Sequence, residues 1–148
     1  MKTIIFSLLF LSTLSLSAQI TGKEYDADLA KKLGADERGM KNYIFVILKT
    51  GTANITDKEV RDSLFMGHMN NINRLVETGK MVVAGPFGNN EDGMRGIFIL
   101  DVKTIGEAKE LMQSDPTIRE KIFEPLYYQW YGSAALPEYL KVHRKIEK

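Results

Sequence analysis

The stretch FMGHMNNINRL, Phe65 to Leu75, carries His68, one of two histidines in the chain. An imidazole changes charge close to neutral pH and can therefore move a proton there. Beside an ionised carboxylate it becomes a general base. The carboxylate fixes the tautomer and stabilises the imidazolium formed on proton abstraction. Val60, Leu64, His68, Ile72 and Leu75 recur at helical spacing, with Phe65, Met69 and Val76 beside them. That period places His68 on the apolar stripe of a helix, facing the core. By pattern alone, the ring reads as a packed and satisfied core histidine. Other chemistries lack their residues. The chain has no cysteine, which removes disulfides, thiolate nucleophiles and zinc-thiolate sites. No G-x-S-x-G elbow is present. The second histidine, His143 in KVHRK, reads as part of a solvated face, and no histidine spacing suggests a metal cluster. No metal and no cofactor is expected. The segment Gly85 to Gly96 is rich in glycine, yet it joins two strands, lacks the lysine of a phosphate loop and opens no helix. It reads as a hairpin connection that rims a pocket.

The elements that must position His68 follow from local pattern. NYIFVILK, Asn42 to Lys49, is a buried strand of β-branched and aromatic residues. Thr56-Asp57-Lys58-Glu59 forms a capping box for the His68 helix, and Gly79 ends that helix as a left-handed cap. MVVAGPF, Met81 to Phe87, is a strand that stops at Pro86, because proline cannot donate to a ladder. GIFILDV, Gly96 to Val102, is the next strand. Thr104-Ile105-Gly106-Glu107 is a second capping box. Ser114-Asp115-Pro116 breaks the helix that follows, and Asp115 there is an ordinary N-cap for a short helix through about Phe123. PLYYQWY, Pro125 to Tyr131, is the last strand. Its cluster of Tyr127, Tyr128, Trp130 and Tyr131 reads as core or interface packing. Pro137 opens a helical turn in the tail. The order β-α-β-β-α-β predicts an α+β, ferredoxin-like fold, an antiparallel sheet with both helices on one face. The other sheet face is left apolar and uncovered in a monomer, so a partner subunit is expected to cover it.

The totals set the frame. The 148 residues suffice for one domain, and 44% hydrophobic with 26% charged residues is an ordinary globular composition. A net charge of +1 gives no reason to expect nucleic acid as a partner. Residues 1-18 have the pattern of a secretory signal peptide: Lys2, an apolar run from Ile4 to Leu11, then serines and Ala18. The run is too short for a spanning helix, which needs about 20 apolar residues. An exported protein, periplasmic or secreted and without stable membrane insertion after cleavage, is therefore expected. Residues 19-41 read as a polar arm, loosely attached, with a short helix over Asp26 to Lys32.

The helix histidine in HMNNINRL, Gly85-Pro86 after GKMVVA, the Asp115-Pro116 pair and the opening strand YIFVILK together resemble the YciI-like (YCII-related) family, over about residues 42-131. The resemblance implies a ferredoxin-like domain that forms a dimeric α+β barrel. It also implies an active-site dyad at His68 and Asp115, with Gly85, Pro86 and Arg95 as substrate-binding candidates. Arg61 and Arg74 are further candidates for holding an anion. On this reading the protein is a lyase- or isomerase-type enzyme without a cofactor, acting on a small molecule. The alternative is a non-catalytic dimer that binds a small ligand or a protein, with His68 and Asp115 kept for structure. Relative to shorter members of that family, residues 132-148 are an extension suited to capping a pocket or a dimer edge.

Overall fold

The computed structural model describes residues 24–148. The signal-peptide segment and the first part of the arm lie outside the described residues. The elements in chain order are α1 (Ala27–Leu33), β1 (Met40–Thr50), α2 (Lys58–Glu77), β2 (Met81–Pro86), β3 (Met94–Leu100), α3 (Ile105–Met112), α4 (Pro116–Arg119) and β4 (Phe123–Ser133). A 3-10 turn (Leu136–Tyr139) and α5 (Leu140–His143) complete the chain. The four strands form one antiparallel sheet in the order β2-β3-β1-β4. This is the ferredoxin-like arrangement predicted from the element order.

β1 is the spine. It pairs with β4 over its whole length, Met40 opposite Ser133 through Thr50 opposite Phe123. On its other side it pairs with β3, Ile44 opposite Leu100 through Lys49 opposite Met94. Alternate residues Ile44, Val46 and Leu48 enter the core beside Phe98 and Leu100 of β3. Leu75, Ala108 and Met112 close that core from α2 and α3. Burying each large apolar side chain contributes roughly 1.5–3 kcal/mol, which fixes the helices to this sheet face. A second cluster of Tyr43, Val82 and Ile99 packs with Phe45, Val83, Trp130 and Leu136. Leu136 belongs to the tail, so the C-terminal segment covers part of this second cluster. Tyr128, opposite Phe45 in the β1–β4 ladder, stays 50% exposed.

Several local expectations shift. α1 is present one residue further on, capped by Asp26, and the last part of the arm is tied to the sheet at Asp36. The Asp36 carboxylate accepts from Arg38 N, Met40 N and the Tyr131 hydroxyl, so β1 begins at Met40 rather than Asn42. The N-cap of α2 is Asp57, not Thr56; its carboxylate accepts from Glu59 N (2.9 Å) and Val60 N (3.1 Å). Gly79, at φ 68, does close α2: its N–H reaches Val76 O and that of Lys80 reaches Leu75 O, a Schellman end. β3 begins at Met94, earlier than Gly96, and stops at Leu100. α4 ends at Arg119, short of Phe123. Lys121 takes a left-handed φ of 56 and Ile122 N reaches back to Thr117 O, which closes the helix and releases β4 from Phe123. At the second capping box, Thr104 Oγ1 accepts from Glu107 N as expected, while the Glu107 carboxylate accepts from Lys103 N, one residue before the N-cap.

Candidate active site

α2 meets the Ser114-Asp115-Pro116 turn residue by residue, in antiparallel order. Arg74 donates to Asn71 Oδ1 (2.7 Å) and to Ser114 Oγ (2.8 Å), and Ser114 Oγ stands 2.8 Å from Asn71 Oδ1. One turn earlier, His68 Nδ1 lies 2.7 Å from Asp115 Oδ2. At Gly67 a side chain would meet Pro116 Cγ at 2.7 Å. The helix therefore needs glycine beside His68 so that the proline can nest against it, although glycine costs an interior helix position about 1 kcal/mol relative to alanine. This close approach sets the His68–Asp115 distance.

Asp115 divides its work between two oxygens. Oδ1 accepts from Thr117 N (2.9 Å), the N-cap bond of α4, and from Thr117 Oγ1 (2.6 Å). Oδ2 accepts from His68. Thr117 Oγ1 also stands 3.2 Å from His68 Nδ1, which closes a three-membered ring of contacts. Asp115 and Thr117 are wholly buried, and His68 is 8% exposed. Burial pushes the Asp115 carboxyl up, but the hydrogen bonds from His68 and Thr117 outweigh it and hold the group below its ordinary 3.8. An ionised carboxylate only accepts, so Nδ1 must carry the proton of neutral His68. The lone pair is thereby placed on Nε2, which has no hydrogen-bond partner among the described residues.

His68 borders a cavity of about 430 Å³ between α2 and β2, a size within the usual range for small-molecule sites. Around the ring stand three phenylalanines: Phe65, Phe98 and Phe123, with centroids 6.3, 5.9 and 5.6 Å away. The predicted apolar stripe of α2 is thus split. Leu75 and His68 turn inward, while Phe65 (37% exposed) and Met69 (53%) line the cavity rather than the core. Val60, also placed on the stripe, is 48% exposed. Gly85, Pro86 and Arg95 all line the same cavity. Of the other arginines, Arg74 is engaged with Asn71 and Ser114, and Arg61 is exposed outside the cavity lining.

Two contributors were missed in the sequence, and a third was expected only as a segment. Gly67 had a signal in its place beside His68 on a helix. Thr117 had one in its position two residues after an N-cap aspartate. The tail, expected as an extension suited to capping a pocket or a dimer edge, reaches the cavity, where Tyr139, Leu140, His143 and Glu147 form one wall; no pattern singled out these residues. His143, read as part of a solvated face, is exposed yet lies on this lining.

A family model for the YCII-related domain matches residues 43–128. The chain belongs to the YCII-related domain family. The match takes in most of β1, the first half of β4, the whole of β2, β3 and α2, and the His68–Asp115 contact, and it ends before the tail. A solved structure similar to this YCII-related protein is the 5-chloro-2-hydroxyhydroquinone dehydrochlorinase from Burkholderia phenoliruptrix AC1100, in complex with 2,5-dihydroxybenzoquinone. It shares 19% identity, over 59% of this chain and 92% of that one, with a TM-score of 0.43. Among the curated proteins, none matches the chain. Among the described residues, no helix of this YCII-related protein is long and apolar enough to cross a membrane.

Proposed function

We propose that this YCII-related protein is an exported, homodimeric enzyme of lyase or isomerase type that acts on a small molecule without a cofactor. His68 is its general base and Asp115 its positioning residue. One observation carries the reading: Nδ1 is held by a buried carboxylate at 2.7 Å while Nε2 is left unpaired on a ring that borders a cavity. Here one nitrogen is oriented and the other is open, which is the arrangement proton abstraction requires. The low-polarity surround of three phenylalanines strengthens any charge interaction formed there. The far sheet face, with Phe45, Ile47, Ile97 and Leu126 only half-buried and Tyr128 exposed, supports a second copy of the chain as its cover. The secretory pattern of residues 1-18 supports export.

The test is exchange and elimination in heavy water. The mature protein is incubated with a panel of small carbon acids, and loss of carbon-bound protons is followed by ¹H NMR. The expected result is catalysed loss from one class, reduced roughly 10²–10⁴-fold in His68→Gln. A His68→Gln variant that folds and works as well as the parent would overturn the assignment.

A further inference from the structure

The cavity has two polar ends and an apolar middle. At one end Arg95 stands beside Pro86, where β2 meets β3. Its Nε donates to Thr50 Oγ1 at 2.6 Å, which fixes the guanidinium and leaves its terminal nitrogens for another acceptor. At the other end the tail supplies His143, with Tyr139 and Glu147. Tyr139 anchors that wall: its hydroxyl donates to Val82 O at 2.6 Å, and its ring meets that of His143 at 6.2 Å. His143 Nε2 lies 3.9 Å from Glu147 Oε2. Between the ends the lining is Ile72, Val76, Ala84, Phe98 and Met69, with His68 set among them.

Two rulers give the length. β2 runs from Val82, at the tail end, to Pro86, at the arginine end, a rise of about 13 Å. α2 runs from His68 to Val76, which borders the tail wall, over about 12 Å. Side chains reach inward from both ends, so the span between their polar atoms is shorter than these rises. We propose that the ligand is an elongated small organic acid. Its acidic group faces Arg95, its apolar body lies past His68, and a hydrogen-bonding group at the remote end is recognised by His143. The C-terminal segment, outside the matched domain, is thereby a specificity element of the site. The inference rests on reading this cavity as a small-molecule site, and it adds the ligand's length and its second polar end.

The test uses the full mature chain and two probes, 4-hydroxycinnamate and cinnamate. Both are acids with rigid apolar bodies, and only the first carries a hydroxyl at the remote end. With two histidines in the sequence, the imidazole Cε1–H signals of His68 and His143 can be followed separately by NMR. The expected result is that both acids shift His68 and that only 4-hydroxycinnamate markedly shifts His143. The hydroxylated acid should bind roughly three- to tenfold more tightly, the worth of one neutral hydrogen bond. His143→Phe keeps the ring contact with Tyr139 and should erase that preference while cinnamate affinity holds. His143→Gln, which still hydrogen-bonds, should retain it. Arg95→Gln should weaken both acids about tenfold or more, as expected for a charged partner. Equal binding of the two acids, untouched by His143→Phe, overturns the role of the tail and leaves the cavity as a site. If neither acid moves His68, the ligand class and the cavity reading fall together.

Discussion

Asp115→Asn separates the roles of the two carboxylate oxygens. Asparagine is nearly isosteric with aspartate and caps a helix about as well, so the bond from Thr117 N to Oδ1 survives. The other position changes sign. An amide N–H₂ replaces Oδ2 and faces Nδ1–H of His68, which now lies 2.7 Å from its partner. Two donors cannot share that distance, so the imidazole must move its proton to Nε2 and accept at Nδ1. A hydrogen bond to a charged group is worth about 1.5–3 kcal/mol and one between neutral groups about 1 kcal/mol. The expected net loss at neutral pH is therefore about 0.5–2 kcal/mol, or roughly 1–8 °C in Tm for a chain of this size. The sign of the pH dependence follows from the lowered Asp115 carboxyl. Its stabilisation is fully present above the unfolded aspartate value of about 3.9 and is lost as pH falls through the lower folded value. The gap in Tm between parent and variant should be wide at pH 5 and narrow steadily below about pH 4. Calorimetry from pH 7 to pH 3 measures the gap, and ¹⁵N shifts of the two imidazoles report the tautomers. A gap that stays constant to pH 3, or a parent whose neutral His68 already carries its proton on Nε2, would refute the reasoning.

Gly67→Ala gains about 1 kcal/mol of helix propensity but drives a methyl to 2.7 Å from Pro116; with overpacking at about 1–3 kcal/mol, Tm should fall by a few degrees and the hydrogen-bonded Nδ1 proton of His68 should exchange faster, whereas a raised Tm would show that the contact is slack. Tyr139→Phe removes the bond to Val82 O and should cost about 0.5–1.5 kcal/mol, seen as faster amide exchange confined to residues 136–147; unchanged protection there would mean the tail is held by packing alone. Ile47→Lys places a charge at the centre of the half-buried sheet face, between Ile97 and Leu126 in the ladders, and light scattering should find the parent as the proposed dimer and this variant as a folded monomer; a dimeric variant would move the interface elsewhere, and a monomeric parent would overturn the dimer.

Local signals were legible in the sequence where the physics is local. The capping residues Thr104 and Glu107 and the left-handed stop at Gly79 act within four or five residues, and they stand where their types placed them. The antiparallel sheet with both helices on one face followed from the element order. Errors arose where a choice depended on distant partners. Thr56 and Asp57 both suit an N-cap, and only the path of the chain decides for Asp57. The stripe of α2 looked continuous because Phe65 and Met69 are apolar, yet a cavity can claim apolar side chains as readily as a core does. The tail was legible as a cap but not by residue, for the same reason: Leu136 packs with Tyr43 and Val82 across the sheet, and no period or spacing encodes that.

The structural role of Asp115 and the role proposed for it beside His68 are compatible, because they use different oxygens. The N-cap role uses Oδ1, through Thr117 N and Thr117 Oγ1. The histidine uses Oδ2. Neither function displaces the other, and each helps the second: capping α4 fixes the carboxylate's rotation, which aims Oδ2 at α2. Pro116 contributes to both as well, as the first residue of the capped helix and as the ring that nests on Gly67. An alanine at position 115 would remove the cap, leave Thr117 Oγ1 and His68 Nδ1 without their buried acceptor, and cost about 3–5 kcal/mol, so any loss of activity would be confounded with unfolding. Only a replacement that keeps one oxygen can tell whether proton transfer depends on the other.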